Sequence, residues 1–136
     1  MSVQPAWITF TKLVVGDLER QAAFYKAVCG LTELGRVQSD IAGSRLHEII
    51  FRRADQGGMQ FVLLKFIDEP APVAGEAIIG ITTDDVAAFV EHARAAGGSV
   101  LSEPKFMAEH GVTVAFVKDP EGRLLEVIEF PKSAED

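Results

Sequence analysis

The chain reads as an α+β protein: two tandem βαβββ modules forming a curved, cup-like mixed sheet, with the helices on its outer face. Three observations predict this. A segment with helical spacing, opened by aspartate and closed by glycine, occurs twice: Asp17 to Gly30 and Asp85 to Gly98 are each 13 residues apart, at an offset of 68. Each copy follows one apolar strand and precedes three. A proline-rich stretch, Asp68 to Gly75, separates the copies and reads as a linker.

The first module, about residues 5–67, opens with a strand at Ile8–Val15. Asp17 is placed to cap the next helix. Leu18, Ala22, Tyr25 and Cys29 share one helical face, and Gly30 suits a left-handed stop. Apolar segments follow at Leu34–Val37, Leu46–Arg52 and Met59–Phe66. The second module, about residues 76–131, repeats the order. A strand at Ala77–Thr83 leads to a helix with Val86, Phe89, Val90 and Ala93 inward, then to strands at Ser99–Ser102, Val112–Val117 and Leu124–Phe130. Asp119-Pro120-Glu121-Gly122 joins the last two as a tight turn: proline presets φ, aspartate bonds back to the backbone and glycine closes it. The two modules make one domain over residues 1–136.

Composition narrows the function. With 136 residues, 48% hydrophobic and 24% charged, the chain has the make-up of a soluble globular domain. No apolar run approaches the ~20 residues of a membrane span, and the start lacks a basic and then apolar leader. The single cysteine, Cys29, rules out an internal disulfide framework; it reads as a buried structural thiol and fits a cytoplasmic location. A net charge of −7 without a clustered basic surface argues against nucleic acid as a partner.

Strand alternation decides what lines the cup. With Leu13 and Val15 on the helix side, Phe10, Lys12 and Val14 face the cup, as do Ile78, Gly80 and Thr82 in the second module. The last strand of each module contributes Gln60, Val62 and Leu64, and Leu124, Glu126 and Ile128. This is a mainly apolar lining with a few polar groups, the character of a small-molecule site. Glu126, an acid on an apolar strand, is the candidate base or hydrogen-bond acceptor. Lys12 is its candidate partner in a structural ion pair; alternatively Lys12, or the Arg52-Arg53 pair where it does not simply decorate a strand end, binds a ligand carboxylate. Trp7, Phe10, Phe61, Phe66 and Phe106 are either core or a surface for an aromatic ligand. His92, beside Glu91 and Arg94 on a helix, reads as solvated.

These residues resemble the vicinal oxygen chelate superfamily of glyoxalases, bleomycin-binding proteins and extradiol dioxygenases. The carriers are Val15-Gly16-Asp17-Leu18-Glu19-Arg20 with Phe24-Tyr25 and Gly30-Leu31; Thr83-Asp84-Asp85-Val86 with Gly97-Gly98; and Lys118-Asp119-Pro120-Glu121-Gly122 with Leu125-Glu126. The resemblance implies a homodimer whose sheets complete two cups. In catalytic members it also implies a divalent metal, held by histidine on the first strand of each module and by glutamate or glutamine on the last. Those four positions are Phe10, Gln60, Ile78 and Glu126. Phenylalanine and isoleucine cannot ligate, so the standard two-histidine site is incomplete.

The expectation is a protein that binds a small, aromatic or cationic molecule in an apolar cup, with no cofactor. The alternative is a glyoxalase-type lyase, isomerase or dioxygenase. It would hold Ni, Zn, Fe or Mn on Glu126 and Gln60 with His47 or His110. His47 and Glu48 point to opposite strand faces, so only one of the two can line the cup. Specificity is expected from loops at Gln38–Ser44 and Lys105–Gly111.

Overall fold

The computed structural model describes residues 4–53 and 61–131. The order is β1 (Thr11–Val14), α1 (Leu18–Cys29), β2 (Leu31–Ile41), β3 (Ser44–Arg53), β4 (Phe61–Phe66), then β5 (Ile78–Thr82), α2 (Val86–Ala95), β6 (Ser99–Met107), β7 (Val112–Lys118) and β8 (Leu124–Glu129). Each βαβββ module forms its own four-stranded sheet, ordered β1-β4-β3-β2 and β5-β8-β7-β6. Both sheets are mixed: β1 runs parallel to β4 and β5 to β8, while the other pairs are antiparallel.

The helices start where their caps put them. Asp17 accepts from the Arg20 N–H at 3.1 Å and Asp85 from the Ala88 N–H at 3.0 Å, each satisfying a donor with no partner inside the helix. Gly30, at φ 62°, ends α1 in the left-handed region. The second helix stops earlier than its closing glycine suggests. Its last residue is Ala95, the turn is made at Gly97 (φ 97°), and the Gly98 N–H bonds back to the Ala93 carbonyl at 2.9 Å. Two carboxylates from outside the helices add to these caps. Glu121 accepts from the Gly16 and Asp17 N–H groups ahead of α1, and Glu129 from the Val86 N–H at the start of α2.

Strands β2 and β6 run longer than their apolar stretches indicate. Of the segments read as loops, Gln38–Ser44 is largely strand around a turn at Ala42-Gly43, while Lys105–Gly111 is strand as far as Met107 and a turn from Ala108 to Gly111. Polar residues such as Gln38, Ser39 and Asp40 are held there by ladder bonds to β3 rather than by burial.

One core lies between the sheets. Leu13, Ile49, Phe51 and Leu63 of the first sheet, and Ala115, Val117, Leu125 and Val127 of the second, join Phe24 and Tyr25 of α1 and Phe89 and Val90 of α2. The layers are therefore sheet, helix, helix, sheet. The face of each sheet opposite its helix takes no part in this core. No helix among the described residues is long and apolar enough to cross a membrane.

A polar knot ties the modules together inside this core. Asp119, 2% exposed, accepts from Gln21 Nε2 at 2.8 Å and from the Tyr25 hydroxyl at 2.7 Å. The buried Arg123 guanidinium lies beside it and donates to the Val14 carbonyl. Thus the Asp-Pro-Glu-Gly turn of the second module, closed by the Gly122 N–H to the Asp119 carbonyl, also anchors α1 and β1 of the first.

Candidate functional site

Glu126 projects from the middle of β8 on the free face of the second sheet. Leu125 and Val127 are fully buried on the other face, as a period of two requires. Across the ladders its neighbours are Gly80 on β5 and Phe116 on β7, and Phe116 in turn faces Ser102 on β6. Glu126 opens onto a cavity of about 650 Å³. The apolar part is made by Val112, Val114, Phe116, Ile128 and Phe130; Ser102, Lys105 and His110 supply the remaining polar groups. No hydrogen bond or ion pair with the described residues engages the Glu126 carboxylate. Ionised, it can only accept hydrogen bonds, and the donors that line the cavity with it, on Ser102, Lys105 and His110, make none to it.

The first sheet is different. Lys12, Val62 and Leu64 share its free face, but Val62 and Leu64 are fully buried, and the Lys12 ammonium is taken by Glu48 at 3.0 Å. Lys12 is therefore not the partner of Glu126. The pairing needed Glu48, 36 residues away, which only the β1-β4-β3 register brings to the same face. Phe10 lies just before β1 and is partly exposed, and Gln60 is outside the described residues. Of the residues read as lining the cup, Glu126 and Ile128 share the described cavity. Gly80 and Ile78 stand on the adjacent strand β5, and Phe10, Lys12 and Val62 belong to the first sheet.

The match of Gln60 to Glu126 by spacing also shifts. Lys12 and Gly80 are equivalent at the 68-residue offset of the helices, Lys12 pairs with Val62, and Gly80 pairs with Glu126. The residue in Glu126's place in the first module is therefore Val62. The paired strands are 50 residues apart in the first module and 46 in the second, so the segments between them differ in length, and a constant offset cannot show that.

Of the histidines, His110 sits on the β6–β7 turn and lines the Glu126 cavity. His47 lies on the helix side of the first sheet, in a crevice with Leu18, Glu19 and Arg36, and cannot join Glu126. His92 is exposed on α2. Among the described residues no group of three or more His, Cys, Asp or Glu is arranged to hold a metal ion. The donor set does not fit the two-histidine site implied by the resemblance.

The aromatic residues of the cavity are Phe116 and Phe130. Phe61 instead packs on Tyr25, with ring centroids 5.1 Å apart, and on Phe51. The alternation Val112, Val114, Phe116 in β7 carried the signal for the cavity wall. Bulges in β6 between Val100 and Ser102 and between Ser102 and Lys105 hid the rest, because they break the period of two. Cys29 is partly buried at the end of α1, and burial pushes its thiol up to about 11.

A family model described as the Glyoxalase/Bleomycin resistance protein/Dioxygenase superfamily matches residues 7–127. Among curated proteins, the chain is 31% identical over 125 residues to a probable lactoylglutathione lyase of Vibrio cholerae, covering 90% of this chain and 89% of that protein. It is 32% identical over 118 residues to the lactoylglutathione lyase of Arabidopsis thaliana, covering 85% of this chain but only 41% of the plant protein's length. The fold is shared with a glyoxalase family protein from Bacillus cereus, at TM-score 0.74, 18% identity and coverage of 93% of this chain and 95% of that one. Glyoxalase I from Zea mays, in a mutant form, matches at TM-score 0.69 and 23% identity, covering 89% of this chain and 46% of the maize chain. With the order of elements and the matched span in agreement, the chain belongs to the Glyoxalase/Bleomycin resistance protein/Dioxygenase superfamily.

Proposed function

We propose that this protein binds a small aromatic or cationic molecule in the cup of its second module, with Glu126 as the polar anchor and without the superfamily's two-histidine metal site. One observation carries the reading: a carboxylate with no partner among the described residues faces a cavity whose walls are mostly apolar and aromatic. Such a group favours a ligand that brings its own donors or positive charge on a flat apolar body. Phe10 and Ile78, where two metal-binding histidines would stand, support it. The working form is a cytoplasmic homodimer in which one chain's cup is completed by another copy. The exposure of Ile78, Phe106 and Phe130 favours that assembly.

A second reading is a glyoxalase-type lyase, isomerase or dioxygenase with a nonstandard divalent-metal site. His110 and Glu126 lining one cavity, together with relatives named as lactoylglutathione lyases, favour it. Metal analysis of protein purified without chelator decides between the two. The binding reading expects no stoichiometric metal, even after addition of Ni²⁺, Zn²⁺ or Fe²⁺. Stoichiometric metal that disappears in Glu126→Gln overturns it in favour of the enzyme.

A further inference from the structure

Gly80 is the central residue of β5 and lies beside Glu126 in the β5–β8 ladder. Glycine weakens a strand, because it loses more backbone freedom and packs no side chain. Nothing among the described residues requires it here. Gly80 is not among the glycines with positive φ, and a Cβ built on it meets no heavy atom within 4 Å. The space is open and, by the strand's alternation, lies on the free face that Glu126 shares with Ile78 and Thr82, beside the lining of the Glu126 cavity rather than within it; Gly80 also edges a separate crevice with Cys29, Arg53 and Thr82. The Glu126 carboxylate therefore has an aromatic wall, Phe116, on one flank and a gap on the other. A glycine within a strand, unexplained by its own fold, marks a close approach by something else.

We propose that Gly80 determines the specificity of this cup: the gap over it admits the positively charged head of a flat ligand to Glu126, while the ligand's apolar body lies against Phe116 and Ile128. The inference rests on the reading of the cup as a small-cation site and names the ligand class within it. An aromatic amidinium or primary ammonium fits best. Its N–H donors can meet the two carboxylate oxygens, which a quaternary ammonium cannot do. Any side chain at position 80 would occupy the approach.

The test is calorimetric titration of benzamidine into wild type, Gly80→Ala, Gly80→Val and Glu126→Gln, with thermal midpoint and solution mass recorded for each. Gly80→Ala is expected to weaken binding about 10-fold and Gly80→Val about 100-fold, within the range for one or more misplaced methyl groups in a pocket. Midpoints are expected to hold or rise, since alanine and valine suit a strand better than glycine. Glu126→Gln is expected to abolish binding. Wild-type affinity in Gly80→Val, alongside loss in Glu126→Gln, overturns the role of Gly80 and leaves the cup reading standing. A fall in solution mass in Gly80→Val assigns the gap to a second copy of the chain and also overturns it. No binding by wild type overturns the cup reading and this inference together.

Discussion

Tyr25 on α1 and Asp119 at the end of β7 stand 94 residues apart in the chain and share a hydrogen bond of 2.7 Å inside the core. That bond joins the two modules and helps fix how they pack. With Gln21 and Arg123 it ties α1 of the first module to the turn between β7 and β8 of the second.

Removing the acceptor is therefore costly. In Asp119→Ala the Gln21 amide, the Tyr25 hydroxyl and the Arg123 guanidinium lose their shared partner while still buried. A loss of about 3–5 kcal/mol is expected, the usual cost of leaving one member of a buried charged pair uncompensated. Urea denaturation against wild type measures it. Asp119→Asn, which keeps an acceptor oxygen, is expected to lose less.

The same environment sets the titration of Tyr25, the chain's single tyrosine. Burial first, then the neighbouring Asp119 charge and hydrogen bond, push its hydroxyl above the ordinary value of 10.0. The unfolded chain gives up this proton near pH 10 while the folded chain keeps it. The contribution to stability is thus complete below that pH and lost as pH rises beyond it. Ultraviolet titration is expected to show no phenolate until the protein unfolds at alkaline pH. Phenolate appearing near pH 10 in folded protein would contradict this.

Cys29 gives a third test. Burial raises its thiol from 9.0 to about 11, so at pH 8 the thiolate, which is the reactive form, is about 100-fold scarcer than in the unfolded chain. Reaction with a disulfide reagent is expected to slow by at least that factor in folded protein and to recover in denaturant.

Gly98 is required by packing rather than by φ. An added Cβ would stand 2.6 Å from the Lys118 carbonyl oxygen and 2.8 Å from the Phe24 ring. Gly98→Ala is expected to cost about 1–3 kcal/mol, the range for overpacking a filled interior. The urea midpoint reports it, with Gly111→Ala as a comparison dominated by its positive φ.

Much of the fold was legible because its signals are local. Asp17, Asp85 and Gly30 punctuate helices, Pro120 and Gly122 make a turn, and strict alternation places Glu126 opposite Leu125 and Val127. What stayed hidden depends on register between distant strands. Lys12 finds Glu48 rather than Glu126 only once β1, β4 and β3 are aligned. The place equivalent to Glu126 falls on Val62 rather than Gln60 because the paired strands are 50 residues apart in the first module and 46 in the second. His110 joined the cavity through a turn whose position followed from the unexpected length of β6. Glu121 and Glu129 each cap a helix, Glu121 one in the other module, through contacts that no local signal carries.

The most direct measurement of the central claim is titration of benzamidine into chelator-treated wild type and Glu126→Gln. Saturable one-to-one binding to wild type in the presence of EDTA, lost in Glu126→Gln, is the predicted result. Binding that appears only when a divalent ion is restored, or that is undiminished in Glu126→Gln, would contradict a metal-free cup anchored on Glu126.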